Sequence, residues 1–151
     1  MKRADRLQIV QNVVDDQKRR RAEALAVSER SVAESEAKLA ELQNYQASYL
    51  RDFSIRAESG MDGVMARDYQ AFLARLEEAL RQQSLAVTRA RAQRDGELKS
   101  WQGAAQRAEA VGQMVRRFQS EEELMQQRRE QHETDERAQR LWAYGMIFRG
   151  T

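Results

Sequence analysis

Cysteine and proline are missing from this sequence of 151 residues, and histidine occurs once, at His132. Without cysteine there is no disulfide framework, no thiol nucleophile and no cysteine-ligated zinc, and one histidine is too few for a multi-histidine metal site. No apolar run approaches the ~20 residues that span a bilayer, and no secretory signal follows the N-terminus. These absences predict a cytoplasmic protein without a metal centre.

Signals of catalysis are missing as well. No Gly-Lys-Ser or Gly-Lys-Thr triplet occurs, so the sequence lacks the phosphate-binding loop of P-loop nucleotidases. Carboxylates are plentiful, but we expect them on exposed helix faces among Arg and Lys, and a solvated carboxylate is a poor general acid or base. We predict no enzymatic activity, no small-molecule substrate, no cofactor, and no catalytic, cofactor-binding or metal-binding residue.

Charge is nearly balanced, with 26 Lys and Arg against 24 Asp and Glu. The densest basic run covers residues 18–21. Successive residues of a helix point in different directions, so this run forms a ring of charge rather than a single groove-reading face. A solvated coiled-coil surface is favoured, an acidic protein partner stays open, and nucleic acid is not expected to bind.

Heptad periodicity is the strongest positive signal. In a frame laid from Ala4, more than half of the a and d positions up to Arg56 are apolar, which predicts a first helix over residues 3–57. Glycines at 60 and 63 predict a turn over residues 58–65. A more regular seam predicts a second helix over residues 66–140. Its a and d positions are Tyr69, Leu73, Leu76, Leu80, Gln83, Val87, Ala90, Arg94, Glu97, Trp101, Ala104, Ala108, Val111, Val115, Phe118, Glu122 and Met125.

Two long helices joined by one short turn are expected to fold back on each other. We therefore predict an all-α protein, a single domain over residues 1–151 built as a long antiparallel two-helix coiled-coil hairpin. With the turn near residue 61, residue i of the first helix lies opposite about residue 123 − i of the second. In this register the first helix ends opposite Phe118, so the rest is a helical extension that frays over residues 141–151.

Half of the aromatic residues are gathered on the two sides of the predicted turn. They are Tyr45, Tyr49, Phe53, Tyr69 and Phe72. Tyr49 and Tyr69 occupy seam positions, whereas Tyr45 and Phe72 lie at g positions, which two helices do not fully cover. The cluster has two interpretations: a well-filled end of the coiled coil, or a partly exposed patch that binds another protein.

A second apolar cluster follows residue 140. It consists of Leu141, Trp142, Tyr144, Met146, Ile147 and Phe148. Such a cluster is unusual in a solvated extension. It is either a loosely packed cap or disordered end, or a short anchor for a partner.

The stretches on either side of the turn carry a resemblance to a known family. They read Leu42-Gln43-Asn44-Tyr45-Gln46-Ala47-Ser48-Tyr49 and Tyr69-Gln70-Ala71-Phe72-Leu73, and the extension contains Asp135-Glu136-Arg137-Ala138. In these stretches and in its length, the chain resembles the flagellar export protein FliJ. The family implies an antiparallel two-helix coiled coil that is similar to the central stalk of rotary ATPases, within the cytoplasmic ATPase complex of the flagellar type III export apparatus.

The resemblance implies a non-enzymatic stalk with three kinds of protein partner: the hexameric export ATPase, the membrane export gate and the export chaperones. It implies a cytoplasmic location, peripheral at the inner membrane through the export apparatus. One end of the hairpin would enter the ATPase ring and promote its assembly and activity. By analogy with rotary stalks, this would be the end around residues 2–14 and 108–118. An injectisome stalk of the same architecture and a generic cytoplasmic coiled-coil scaffold remain the alternatives.

The resemblance also assigns a gate-binding patch. It is carried here by Leu42, Tyr45, Tyr49, Phe72, Leu76 and Ala79. Two flanking positions depart from the family's pattern, since Lys38 and Gln83 stand where Gln and His are expected.

Overall fold

The computed structural model describes residues 2–149, except for the side chain of Phe148. Two helices make up nearly all of this range, α1 (Arg3–Ser59) and α2 (Gly63–Arg149), and the described range contains no strand. The helices run in opposite directions and pack against each other, as in the ring contact between Tyr49 and Phe72. The predicted all-α, two-helix hairpin is confirmed.

The turn between the helices is shorter than the predicted 58–65 and covers only residues 60–62. α1 ends where Gly60 takes a φ of 96°, a left-handed conformation that glycine adopts without steric cost. α2 begins directly after Asp62, whose Oδ1 accepts a 2.7 Å hydrogen bond from the Met65 N–H. This N-cap satisfies a backbone donor that the first turn of a helix otherwise leaves free. The two caps explain why each helix reaches further into the turn than periodicity predicts.

α2 also continues past residue 140, so the predicted end of this helix lies inside it. Residues 126–144 contain neither Gly nor Pro and are rich in Gln, Arg, Glu and Ala, which favour the helical state. A helix satisfies its backbone hydrogen bonds internally and needs no partner for them. The helical geometry therefore extends through Arg149, which is where the description of the helix ends.

The chain divides into two compact units. The first covers residues 17–104, and the described part of the second covers residues 2–16 together with 105–149. The buried residues of the first unit are Ser28 and Val32 on α1 and Tyr69, Leu76, Val87 and Ala104 on α2. In the second unit, Ala108 and Val115 of α2 are buried, and Leu7 and Val14 of α1 are half-buried.

The predicted seam of α2 is confirmed from Tyr69 to Phe118, because every a and d position in that range is buried or half-buried. The register is close to the predicted one. Tyr49 pairs with Phe72 and Arg3 with Phe118, so the two residue numbers of a contacting pair total 121 in each unit, against the predicted value of about 123.

Polar residues interrupt the core of the first unit. The buried Ser28 donates its hydroxyl to the Leu25 carbonyl at 2.8 Å, and the Gln83 amide donates across the hairpin to the Ser35 carbonyl at 2.9 Å. Glu97 Oε2 is buried and has no hydrogen-bond partner among the described residues. Lys18 and Arg21, which the heptad frame places in the seam, are exposed instead, because their long charged side chains keep their hydration.

Beyond Phe118 the seam of α2 has no partner helix among residues 2–149. Glu122 and Met125 are exposed, since α1 begins at Arg3 and the Arg3 guanidinium already lies over the Phe118 ring, 5.3 Å from its centroid. Every described side chain from residue 121 to residue 149 is exposed. Within residues 2–149, neither helix has an apolar stretch that is long enough to cross a membrane.

Candidate partner-binding site

The aromatic cluster of five rings lies in the first unit, beside the turn. Three rings project from α1, at Tyr45, Tyr49 and Phe53, and two from α2, at Tyr69 and Phe72. On each helix the rings recur at a spacing of three or four residues, which places them on one face. Because the two helices are antiparallel, the two aromatic faces meet across the hairpin.

Tyr49 is the centre of the cluster. Its ring centroid lies 4.4 Å from that of Phe72 and 4.9 Å from that of Tyr69. Tyr45 contacts Phe72 edge to face at 6.1 Å, and Phe53 lies 5.4 Å from Tyr69 on the turn side. Three of these separations lie within, and that of Tyr49 and Phe72 just below, the range where aromatic pairs contribute ~0.5–1.5 kcal/mol beyond the area they bury. The cluster thus joins the two helices.

The structure places the six residues of the predicted gate-binding patch at different depths. Leu76 is buried, with 6% of its surface exposed, whereas Leu42, Tyr49 and Phe72 are half-buried. Tyr45 is 51% exposed, and Ala79 is exposed. Ring contacts bring Tyr45, Tyr49 and Phe72 together. An inner layer of the cluster therefore fills the coiled coil and Tyr45 forms its exposed edge, while binding of another protein at this edge stays a prediction.

Sequence reasoning missed three polar residues that surround the cluster. The Asp52 carboxylate accepts a 2.5 Å hydrogen bond from the Tyr69 hydroxyl, and the Arg56 guanidinium lies 5.9 Å from the centroid of the Tyr69 ring. Arg75 lies at the same distance from the Phe72 ring. The predicted register places Asp52 opposite Ala71, two residues from its actual partner Tyr69, whereas the spacing of three residues from Phe72 would have found Arg75.

The hydrogen bond to Asp52 and the burial of the ring raise the pKa of Tyr69 above its ordinary value, although the positive charge of Arg56 opposes the shift. A raised pKa means that folding favours the protonated phenol. The stabilisation is fully present below about pH 10, the pKa of an unfolded tyrosine, and is lost as the pH rises through the raised value.

We expect Tyr69→Phe to lower the melting temperature at pH 7, where the hydrogen bond is intact, and to reduce the alkaline loss of stability. The gap in melting temperature between the wild type and this variant should shrink above pH 10. Thermal unfolding followed by circular dichroism between pH 7 and pH 11 measures this gap. All other residues are the same in both proteins, so a gap that is constant with pH contradicts the assignment.

The two flanking positions that depart from the family's pattern differ in accessibility. Gln83 is half-buried, and its side-chain amide donates a hydrogen bond across the hairpin to the Ser35 carbonyl. Lys38 is exposed. Of the two departures, Lys38 is the one that changes the charge at the surface next to the patch.

A second exposed apolar surface lies in the other unit. Four exposed apolar side chains, between 46% and 54% accessible, occur at Ile9, Val10, Val13 and Met114. An open groove next to them is lined by Leu7 of α1 and by Val115 and Phe118 of α2. Contiguous exposed apolar surface is often found at the sites where proteins bind other molecules.

No group of acidic, histidine or cysteine side chains within residues 2–149 is arranged to hold a metal ion. Comparison with the curated proteins and with the solved structures gives no match to this chain. The family model described as "Flagellar FliJ protein" matches residues 1–146, which is nearly the whole chain and includes all of α1, α2 as far as Met146 and both candidate surfaces. The chain therefore belongs to the FliJ family and is a component of the flagellar type III protein export apparatus.

Proposed function

We propose that this protein is a non-enzymatic stalk of the flagellar export apparatus. It promotes assembly and activity of the hexameric export ATPase, links the ATPase ring to the membrane export gate, and contacts export chaperones. It works in the cytoplasm, at the periphery of the inner membrane. The observation that carries the proposal is the partly exposed aromatic cluster, on a two-helix hairpin that belongs to the FliJ family.

The aromatic cluster is the proposed gate-binding surface. Tyr45 offers half of its surface to solvent and is held in place by edge-to-face contact with Phe72. A pre-positioned aromatic side chain loses little conformational entropy on binding, and tyrosine is enriched among binding hot spots. Tyr45 and the exposed edges of Tyr49 and Phe72 make the contact, and the buried Leu76 supports them from the seam.

The unit formed by residues 2–16 and 105–149 supplies the proposed ring-binding surface. Its exposed Ile9, Val10 and Val13 lie on α1 within the range that the FliJ resemblance assigns to the ring. When the ring closes around these apolar side chains, their removal from water lowers the free energy of the complex. Tyr45 and Phe72 belong to the other unit, so one molecule has separate surfaces for the gate and for the ring.

Coupling requires no chemistry on this chain. A pair of helices has no six-fold symmetry, so inside a six-fold ring it contacts each ATPase subunit differently. A contact that is stronger in one nucleotide state than in another shifts the subunit toward that state. The unequal contacts around the ring therefore bias its subunits into different states.

Reconstitution with the purified export ATPase tests the proposal. We expect no hydrolysis of ATP by this chain alone and an increase in ATPase turnover and hexamer formation when it is added. Val10→Ser with Val13→Ser should reduce the stimulation about fivefold or more, because each serine gives up apolar surface worth ~1 kcal/mol or more at a contact. Steady-state turnover and analytical ultracentrifugation provide the measurements.

The matched control is Leu50→Ser with Ile55→Ser, which removes exposed apolar side chains of α1 from the other unit. This control should stimulate the ATPase like the wild type. Equal losses in both variants would mean that apolar surface acts without regard to position. Hydrolysis by the purified chain alone would contradict the stalk function.

A further inference from the structure

Residues 137–149 of α2 differ sharply in composition from the residues before them. Residues 121–136 contain seven acidic side chains, whereas residues 137–149 contain none and carry three arginines, Arg137, Arg140 and Arg149. Between the last two arginines lies an apolar segment, residues 141–147. Its large side chains are 55% to 73% exposed, at Leu141, Trp142, Tyr144, Met146 and Ile147.

The apolar side chains of this segment surround the helix instead of forming one stripe. At about 100° per residue, and with Leu141 taken as the origin, Trp142 points at about 100°, Met146 at about 140°, Ile147 at about 240° and Tyr144 at about 300° around the helix axis. A helix that docks against one partner helix needs only a single apolar stripe, and the rest of its surface stays polar. A helix that is apolar on all sides is suited to an environment that is apolar on all sides.

The charges of residues 137–149 indicate which kind of apolar environment suits this segment. Arginines flank the apolar segment at both ends, and acidic side chains are absent throughout residues 137–149. Anionic lipid headgroups attract such a segment and repel the acidic residues 121–136. Tryptophan and tyrosine, present here as Trp142 and Tyr144, are the side chains that prefer the boundary between headgroups and hydrocarbon.

We propose that residues 137–149 form a membrane-contacting segment, which inserts its apolar side chains shallowly into an anionic lipid surface while its arginines reach the headgroups. This goes beyond the stalk function, because it gives the chain a lipid contact of its own in addition to the gate protein.

The length of the apolar segment limits its insertion to the boundary between the headgroups and the hydrocarbon of one leaflet. Seven helical residues cover about 10 Å, against the ~30 Å of the hydrocarbon core, and no helix of the described residues could span it. Long arginine side chains can keep their guanidinium groups at headgroup level while their stems contact apolar surface. The segment therefore binds reversibly and peripherally.

Binding of the full chain to lipid vesicles tests the proposal. The probes are vesicles of phosphatidylglycerol and phosphatidylcholine in equal parts, and vesicles of phosphatidylcholine alone. We expect co-sedimentation with the anionic vesicles, weakened by salt because the arginine contribution is screened. In a Trp101→Phe background Trp142 is the only tryptophan, and its emission should shift to shorter wavelength on these vesicles.

Two pairs of matched variants locate the contact. Arg137→Gln with Arg140→Gln should weaken anionic vesicle binding by about tenfold or more, whereas Arg128→Gln with Arg129→Gln, the same change in net charge, should not weaken it. Trp142→Ser with Ile147→Ser should weaken sedimentation by about thirtyfold or more. The exposed pair Leu124→Ser with Met125→Ser should leave it unchanged.

Three outcomes would overturn the proposal. The first is a wild-type chain that does not bind anionic vesicles. The second is equal weakening by the two arginine pairs, which would indicate general electrostatic adsorption. The third is a wild-type chain that does not bind vesicles but binds a purified export protein, with this binding lost in the Trp142→Ser, Ile147→Ser variant. Such a result would mean that the segment binds a protein instead of lipid. None of these outcomes bears on the ring or gate contacts, because the residues proposed to make those contacts lie outside residues 137–149.

Discussion

Tyr45→Ala combined with Phe72→Ala should weaken binding to the export gate by about thirtyfold, the effect of losing about 2 kcal/mol at an interface hot spot. Tyr45 is 51% exposed, so its ring has free surface to offer a partner. Phe72 holds Tyr45 from the side at 6.1 Å, so that removing both side chains removes the exposed edge and its support. Isothermal titration with the cytoplasmic part of the gate protein measures the affinity.

Stability must be measured on the same double variant, because Phe72 is half-buried and packs on Tyr49 at 4.4 Å. We expect a modest fall in melting temperature and unchanged helicity at the temperature of the titration. Tyr144→Ala is the matched control, since Tyr144 is 64% exposed and lies in the other unit. If the gate affinity of the double variant is unchanged, or falls only as the variant unfolds, the aromatic cluster serves to pack the hairpin and does not bind the gate.

Leu76→Ala should destabilise the hairpin by about 2–3 kcal/mol, near the lower end of the cost of truncating a buried leucine. Leu76 is 6% exposed and lies in the seam one helical turn from Phe72. Its loss removes apolar contact and leaves a cavity between only two helices, which collapse more readily than a deep core does. Urea denaturation followed by circular dichroism gives the free energy of unfolding.

Leu85→Ala makes the same chemical change on the same helix and in the same unit, at a side chain that is 48% exposed. Its expected effect is under about 0.5 kcal/mol, as for most surface substitutions. The contrast between the two leucines tests whether the heptad seam or the general apolar content of α2 stabilises the unit. Equal costs would contradict the assigned seam.

The predictions for Tyr45 with Phe72 and for Leu76 also separate folding from binding within the proposed gate-binding patch. Leu76 is part of the proposed patch but has almost no free surface, so we expect its truncation to act on the gate mainly through stability. Truncation of Tyr45 is expected to act mainly on gate affinity and little on stability. A partner contact at Leu76 would instead appear as a loss of gate affinity at a temperature where Leu76→Ala is still fully folded.

Much of the fold was determined by the sequence itself. Heptad periodicity identified the buried side of α2 from Tyr69 to Phe118, and Gly60 marked the end of α1. These features are local and repetitive, so they are readable without knowledge of distant contacts. One turn position was enough to predict the register to within about two residues, because a two-helix hairpin has a single antiparallel alignment for each turn.

Sequence periodicity did not determine the depth of each side chain in the candidate site. Tyr45 and Phe72 occupy equivalent heptad positions, yet Tyr45 is exposed and Phe72 is half-buried, because Phe72 lies over the Tyr49 ring of the opposite helix. Periodicity assigns the side of a helix that faces its neighbour, but the size and rotamer of the opposing ring decide how far a side chain is covered.

The polar partners of the site were likewise decided only by tertiary structure. Asp52 and Tyr69 are far apart along the chain, and their hydrogen bond exists because the turn at residues 60–62 brings the helices together at this register. A shift of one residue would rotate Asp52 by about 100° on α1 and separate the pair. The sequence thus determined that two aromatic helix faces meet, and the tertiary structure decided which hydroxyl, carboxylate and guanidinium groups surround them, because those contacts depend on angles that periodicity does not specify.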